Sequence, residues 1–248
     1  MDRLIHTSLT AMRGALSRQA TTANNLANVN TAGFRGDMDA VRGIWLSGGP
    51  ADSRVLASEG IVSANMSAGS VAETGRDLDV AMAGDALLAV QAEDGTEAYS
   101  RRGDLQVSDS GLLTLGDGTP VVGDGGPITL PGADKVQIDR DGSIYVLPQG
   151  SEPGTPLQLV DRLKVVSPQG SRIAKGLDGL FKVVGGGALP ADPQARVMSG
   201  KLEGSNVNAT QALVDMIDAA RNWENQIKLL TTARELDSAT TDLMRLPE

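Results

Sequence analysis

A chain of 248 residues that is 40% hydrophobic can bury one or two real cores, and two Phe, two Tyr and two Trp make those cores aliphatic. A formal charge of -9 without clustered Lys or Arg argues against gripping a phosphate backbone, so no nucleic-acid partner is expected. With no cysteine, disulfides and thiolate metal sites are excluded, while the redox compartment stays open.

The first predicted element is a helix, with Asp2 as N-cap and an end near Ala27, where Asn28, Asn30 and Gly33 supply terminating residues. Ile5, Leu9, Met12, Leu16, Gln19, Ala23 and Leu26 recur at alternating spacings of four and three, the rhythm of a coiled-coil seam with Gln19 its one polar member. No charge falls between Gln19 and Phe34, and the small residues there point to close packing on more than one side. Residues 1–10 hold an acid, a base and a His without a continuous apolar run, unlike a cleaved secretory signal. No stretch reaches the roughly 18 apolar residues of a membrane helix, so no membrane insertion is expected. A cytosolic chain and one exported with its N-terminus intact both remain open.

After this helix and its exit (residues 1–35), residues 36–76 mix Gly48, Gly49, Pro50 and several Ser with short apolar groups such as Ile44, Trp45 and Leu46, which predicts an irregular connector. Residues 77–204 change to short aliphatic runs cut by Asp94-Gly95, Asp117-Gly118, Asp124-Gly125, Asp141-Gly142 and Asp178-Gly179. Asp-Gly between such runs predicts hairpins whose two central residues take positive φ. Candidate strands cover 85–91, 112–115, 135–138, 143–147, 157–166 and 180–184, giving an antiparallel, hairpin-rich β body.

The last segment, residues 205–248, predicts a second long helix, opened by Asn208 with Gln211 three residues on in the manner of a capping box. Leu213, Met216, Ala220, Trp223, Ile227 and Leu230 keep the heptad rhythm, which then slips by one position to Ala233, Leu236, Thr240 and Leu243. Asp218 with Arg221 and Glu224 with Lys228 are spaced as helical neighbours, worth only tenths of a kcal/mol each. Two terminal helices with apolar seams flanking a β body predict packing as coiled coil in an assembly, with neighbouring copies covering the seams.

Chemistry is hard to place. His6 is the only histidine, so a Ser-His-Asp arrangement would have to pass through the first helical turns, and a multi-histidine metal site is excluded. Asp139-Arg140-Asp141-Gly142 has its glycine at the fourth place of a calcium loop rather than the sixth, and Gly150 stands where a Glu is needed, so it predicts a turn. Gly123, Gly125 and Gly126 and the run Gly185-Gly186-Gly187 do not open a helix as phosphate-binding glycines do. Catalytic, metal and cofactor-binding residues are therefore expected to be none. A structural polymer subunit fits best; a β-domain enzyme or glycan-binding module with dimerising helices, and a coiled-coil adaptor, stay as alternatives.

Ala23-Asn24-Asn25-Leu26-Ala27-Asn28-Val29-Asn30-Thr31-Ala32-Gly33-Phe34-Arg35 resembles the N-terminal signature of the bacterial flagellar rod and hook proteins. Two further blocks agree in order: Gly75-Arg76-Asp77-Leu78-Asp79-Val80-Ala81, and Gly200-Lys201-Leu202-Glu203-Gly204-Ser205-Asn206-Val207-Asn208 leading into Met216, Ile217 and Arg221. The opening residues and short connector look most like a proximal rod subunit, with a distal one as the alternative; Asp85-Ala86-Leu87-Leu88 lacks the aromatic common after that Gly-Asp step, and Trp223 stands where Tyr or Phe is common.

The resemblance implies a non-enzymatic subunit of the periplasm-spanning basal-body rod, exported through the flagellar type III apparatus without signal cleavage. Its implied partners are that apparatus, other copies of itself and neighbouring rod proteins. Ile5, Leu9, Met12, Leu16, Ala23 and Leu26, with Leu213, Met216, Ala220, Trp223, Ile227, Leu230, Leu236 and Leu243, are then the expected assembly interface. Asn24, Asn25, Leu26, Asn28, Gly33, Phe34, Gly204, Ser205, Asn206 and Asn208 are the signature positions, with Asn24, Asn25 and Asn28 expected to bond backbone groups where helix meets connector.

Overall fold

The computed structural model describes residues 2–45, 55–152 and 154–244. Leu46 and Gly48 to Pro50 of the expected connector lie outside them, as do the side chains of Ile5 and Leu243. The chain is mainly antiparallel β with one helix at each end: α1 spans Asp2–Ala27 and α2 spans Ala209–Met244. It divides into two compact units, one of Met1–Ala27, Asp37–Ser63 and Asn208–Glu248, the other of Asn28–Gly36 and Ala64–Val207.

In the first unit α1 and α2 pack against each other, and β1 (Asp37–Trp45) pairs with β2 (Val55–Ala64). This ribbon corrects the expectation of an irregular connector: β1 carries Val41, Ile44 and Trp45, and β2 carries Val55, Ile61 and Val62, residues that favour a pleated surface, and the Gly-Pro cluster that suggested irregular chain falls between the two strands.

The second unit holds the remaining strands: β3 Val71–Glu73, β4 Val80–Met82, β5 Leu87–Gln91, β6 Glu97–Ser100, β7 Leu105–Val107, β8 Leu113–Leu115, β9 Val122–Gly123 and β10 Gly126–Pro127. They continue as β11 Ala133–Ile138, β12 Ser143–Pro148, β13 Gln158–Arg162, β14 Val165–Val166, β15 Ile173–Lys175, β16 Phe181–Val183, β17 Val197–Ser199 and β18 Lys201–Glu203. The expected strand 157–166 is thus broken in two, with its halves in different sheets: β13 closes β11-β12-β13, while β14 edges the five-stranded sheet β14-β5-β6-β16-β15.

That five-stranded sheet is buried on both faces, which is why β5 reads as an unbroken apolar run. Leu88 and Val90 point into a cluster with Leu105, Leu113, Val121, Ile128 and Ile144, whereas Leu87 and Ala89 point the other way to Tyr99, Val166 and Phe181. Tyr99 and Phe181 are the aromatic members of an otherwise aliphatic interior.

The Asp-Gly turns share one construction. At Asp94, Asp117, Asp141 and Asp178 the carboxylate accepts the N–H two residues on, and the following Gly95, Gly118, Gly142 and Gly179 have φ of 77 to 88°. No non-glycine residue among those described has positive φ, so these are type I turns closed by a left-handed glycine rather than turns with both central residues positive. At Asp124-Gly125 the positive φ moves on to Gly126.

Candidate assembly surfaces and a buried junction

The most deeply buried positions of the two packed helices are small residues. On α1 the covered positions are Gly14, Ala15 and Thr21, with Ala11, Arg18, Thr22 and Asn25 half-buried; on α2 they are Ala212 and Ala219, with Met216, Trp223, Gln226, Leu230 and Ala233 half-buried. The α2 set is an unbroken heptad stripe through 233, so the slip expected after Leu230 is absent from the covered face. Small side chains let two helix backbones approach closely, and this choice turns bulkier groups outward.

The expected interface therefore divides. Met12, Leu26, Met216, Trp223 and Leu230 are half-buried within the unit, whereas Leu9, Leu16, Ala23, Leu213, Ala220, Ile227 and Leu236 are exposed. Ile217 and Leu229, 53% and 59% exposed, join them outside. An exposed apolar stripe running along a helix beside a covered one marks an interaction surface more than scattered surface leucines do. Asn208 caps α2 by accepting the Gln211 N–H at 3.1 Å, but the Gln211 side chain turns forward to Asp215 at 2.8 Å, so the box is half made.

Most signature residues converge on a junction inside the second unit. Glu203 is buried, and its carboxylate is fully used: Oε1 accepts from Arg35 at 2.7 Å and from the Gly69 N–H at 2.8 Å, while Oε2 accepts from Arg101 Nε at 2.8 Å and from Arg101 Nη2. Arg101 spends its remaining donors on the carbonyls of Met82, Gly84 and Ala86. Arg35 is less satisfied, since its Nε and Nη1 are buried without a partner among the described residues. Burial pushes the Glu203 carboxyl up, but the bonds from Arg35, the Gly69 N–H and Arg101 outweigh it and hold the group below the usual glutamate value. Burial is likewise what lowers Arg101, opposed by Glu203.

Around this clasp the backbone is tightly drawn. Gly33, at φ 64°, donates to the Glu203 carbonyl at 2.7 Å, and a Cβ there would meet the Arg101 carbonyl carbon at 2.3 Å. Lys175 of β15 donates to the Arg35 carbonyl at 2.8 Å and lies 4.0 Å over the Phe34 ring. Gly204 donates to the Ser70 carbonyl, the Val207 N–H caps onto Ser205 Oγ, and Asn206 bonds residues 34, 36, 65 and 67. Asn28 accepts the Thr31 hydroxyl at 3.1 Å. In the first unit Asn25 holds both backbone groups of Asp37, at 2.8 and 2.9 Å, as expected of a helix-exit asparagine, while Asn24 is exposed.

Sequence reasoning quoted Arg35 and Glu203 inside the signature blocks but gave them no role, and it missed Arg101. The available signal was Arg35 as the one charge of the first block and Glu203 as the one acid of the last, since a buried charge without a partner is prohibitively costly.

Two hollows of about 270 and 370 Å³ lie on the β body. Of the polar groups lining the first, three are already engaged: Asp141 with Ser143, Arg162 with the Asp141 carbonyl and Asp192 with the Gln194 N–H. The second offers Ser108, Asp109 and Ser110 with no basic group in its lining. Neither brings a nucleophile to a base.

Three family models match the chain: "Flagella basal body rod protein" over residues 5–35, "Flagellar hook protein FlgE/F/G D1 domain" over 81–146, and "Flagellar basal body rod FlgEFG protein C-terminal" over 198–243. Arg35, Arg101 and Glu203 come one from each, so the clasp joins all three matched stretches. The flagellar basal-body rod protein FlgF of Salmonella typhimurium is 41% identical over 99% of this chain and all of its own length, and that of Escherichia coli is 40% identical over the same shares. The FlgG rod protein of Bacillus subtilis is 28% identical over 99% of this chain and all of its own. On full-length similarity and on all three matched stretches, the chain belongs to the family of flagellar basal-body rod proteins, on its FlgF side.

Proposed function

We propose that this chain is a structural subunit of the flagellar basal-body rod that builds the proximal rod by packing its terminal helices against those of other copies and of neighbouring rod proteins. The relatives named above are rod proteins rather than enzymes, and the hollows of the body offer no catalytic pairing. The observation that carries the assembly reading is the division of the helix faces: Gly14, Ala15, Ala212 and Ala219 are buried, whereas Leu9, Leu16, Leu213, Ile217 and Ile227 stay 41 to 53% exposed among the described residues. Full-length similarity to FlgF above that to FlgG supports the proximal over the distal position.

Export through the flagellar type III apparatus with an intact N-terminus, and residence in the periplasm-spanning part of the basal body, complete the reading. Torque then passes from subunit to subunit through the packed terminal helices. A chain lacking residues 1–30, expressed in cells deleted for the full chain, is expected to leave them non-motile and to be missing from purified basal bodies. Restored motility with the truncated chain would contradict the proposal.

A further inference from the structure

The chain passes between its two units four times, after Ala27, Gly36, Ser63 and Val207. Within the second unit, one side chain gathers the segments next to three of these crossings. The Asn206 side-chain amide donates to the carbonyls of Asn65 at 2.7 Å and Ser67 at 2.9 Å, its Oδ1 accepts the Gly36 N–H at 2.8 Å, and its own backbone N–H donates to the Phe34 carbonyl at 3.2 Å. Asn65 N–H closes the ring by donating to the Gly36 carbonyl at 2.7 Å. Three residues earlier, Glu203 repeats the arrangement with charge, taking Gly33 on its carbonyl and Gly69, Arg35 and Arg101 on its carboxylate. A carboxamide is what this site requires, because it donates twice and accepts on one planar group, whereas Asp has no donor and Ser has one.

We infer that Asn206, backed by Glu203, is the positioning residue of a joint that carries mechanical force. It clamps the outgoing segments side by side, so that force arriving along either end of the chain is shared by several hydrogen bonds at once instead of opening them singly in turn. The purpose of the joint rests on the rod-subunit reading; the clamp itself does not.

Asn206→Asp keeps the acceptor for Gly36 and removes both donors, leaving the Asn65 and Ser67 carbonyls facing a carboxylate. Hydrogen exchange on the full-length chain is expected to quicken roughly tenfold at the amides of Gly36, Asn65 and Asn206, with β5 and β6 unchanged. Asn206→Gln, which retains donors and acceptor on a longer arm, is expected to recover part of that protection. In cells, Asn206→Asp subunits are expected in basal bodies at normal amounts, with motility failing selectively in viscous medium. Unchanged exchange at those three amides, or acceleration spread evenly through β5 and β6, would overturn the clamp, as would failure of both variants to fold. Local loosening with normal motility under load would overturn its mechanical role. Motile cells after deletion of the whole chain would sink the rod reading and leave the exchange result standing.

Discussion

At the scale of single residues, the structure turns on one buried carboxylate between two guanidiniums. Removing one partner of such a group leaves the others uncompensated in a low-dielectric site, a loss of about 3–5 kcal/mol. Glu203→Ala is therefore expected to lower the unfolding free energy of the β body by that order, measured by urea titration followed at Tyr99. Because the folded Glu203 carboxyl sits below its ordinary value of 4.5, it adds stability above that pH and loses it as the pH falls through the folded value. Glu203→Gln is expected to flatten the acid limb of stability against pH; an unchanged limb would show that the aspartates of the turns carry it instead. Gly33 makes a separate prediction. Gly33→Ala meets both a left-handed φ, which costs about 1–2 kcal/mol, and the Arg101–Arg102 backbone, so thermal unfolding should shift down by several degrees.

At the scale of elements, both helices were legible because long heptad stripes, an Asn cap and a terminating glycine all agree locally. Most body strands were legible for a similar reason, since Asp-Gly punctuates them. The faces of the helices were not. A heptad pattern ranks positions by apolarity, and here the close contact goes to Gly14, Ala15, Ala212 and Ala219, which hydrophobicity ranks low and close approach ranks high. Nor was the β1–β2 ribbon visible, because its β-branched residues are sparse, Val41 and Ile44 in one strand and Val55, Ile61 and Val62 in the other, and a turn-forming cluster separates them. The clasp escaped because its members lie 102 and 168 positions apart, beyond any local pattern. The divided faces predict divided effects. Ala219→Leu should overpack the closed seam and cost about 1–3 kcal/mol in helix-pair stability. Ile217→Gln should stay within about 0.5 kcal/mol of the parent in the isolated chain, yet abolish incorporation into basal bodies. Loss of incorporation by Ala219→Leu alone would reverse the assignment of the two faces.

At the scale of the whole molecule, the chain sends both ends into one helical unit and keeps its middle in a β body, and Arg35, Arg101 and Glu203 knit the body from the three stretches that the family models recognise. Because the clasp waits on residue 203, the body closes only once its last strand, β18, is available. In the assembled rod, other subunits are expected to cover the outward helix stripes. The natural absence of cysteine allows a direct measurement: single cysteines at Leu213 or Ile217, oxidised or bridged in intact basal bodies. Adducts between subunits are expected at these outward positions and none at the covered Ala219. Free, solvent-reactive thiols at 213 and 217 in the assembled rod would contradict this expectation.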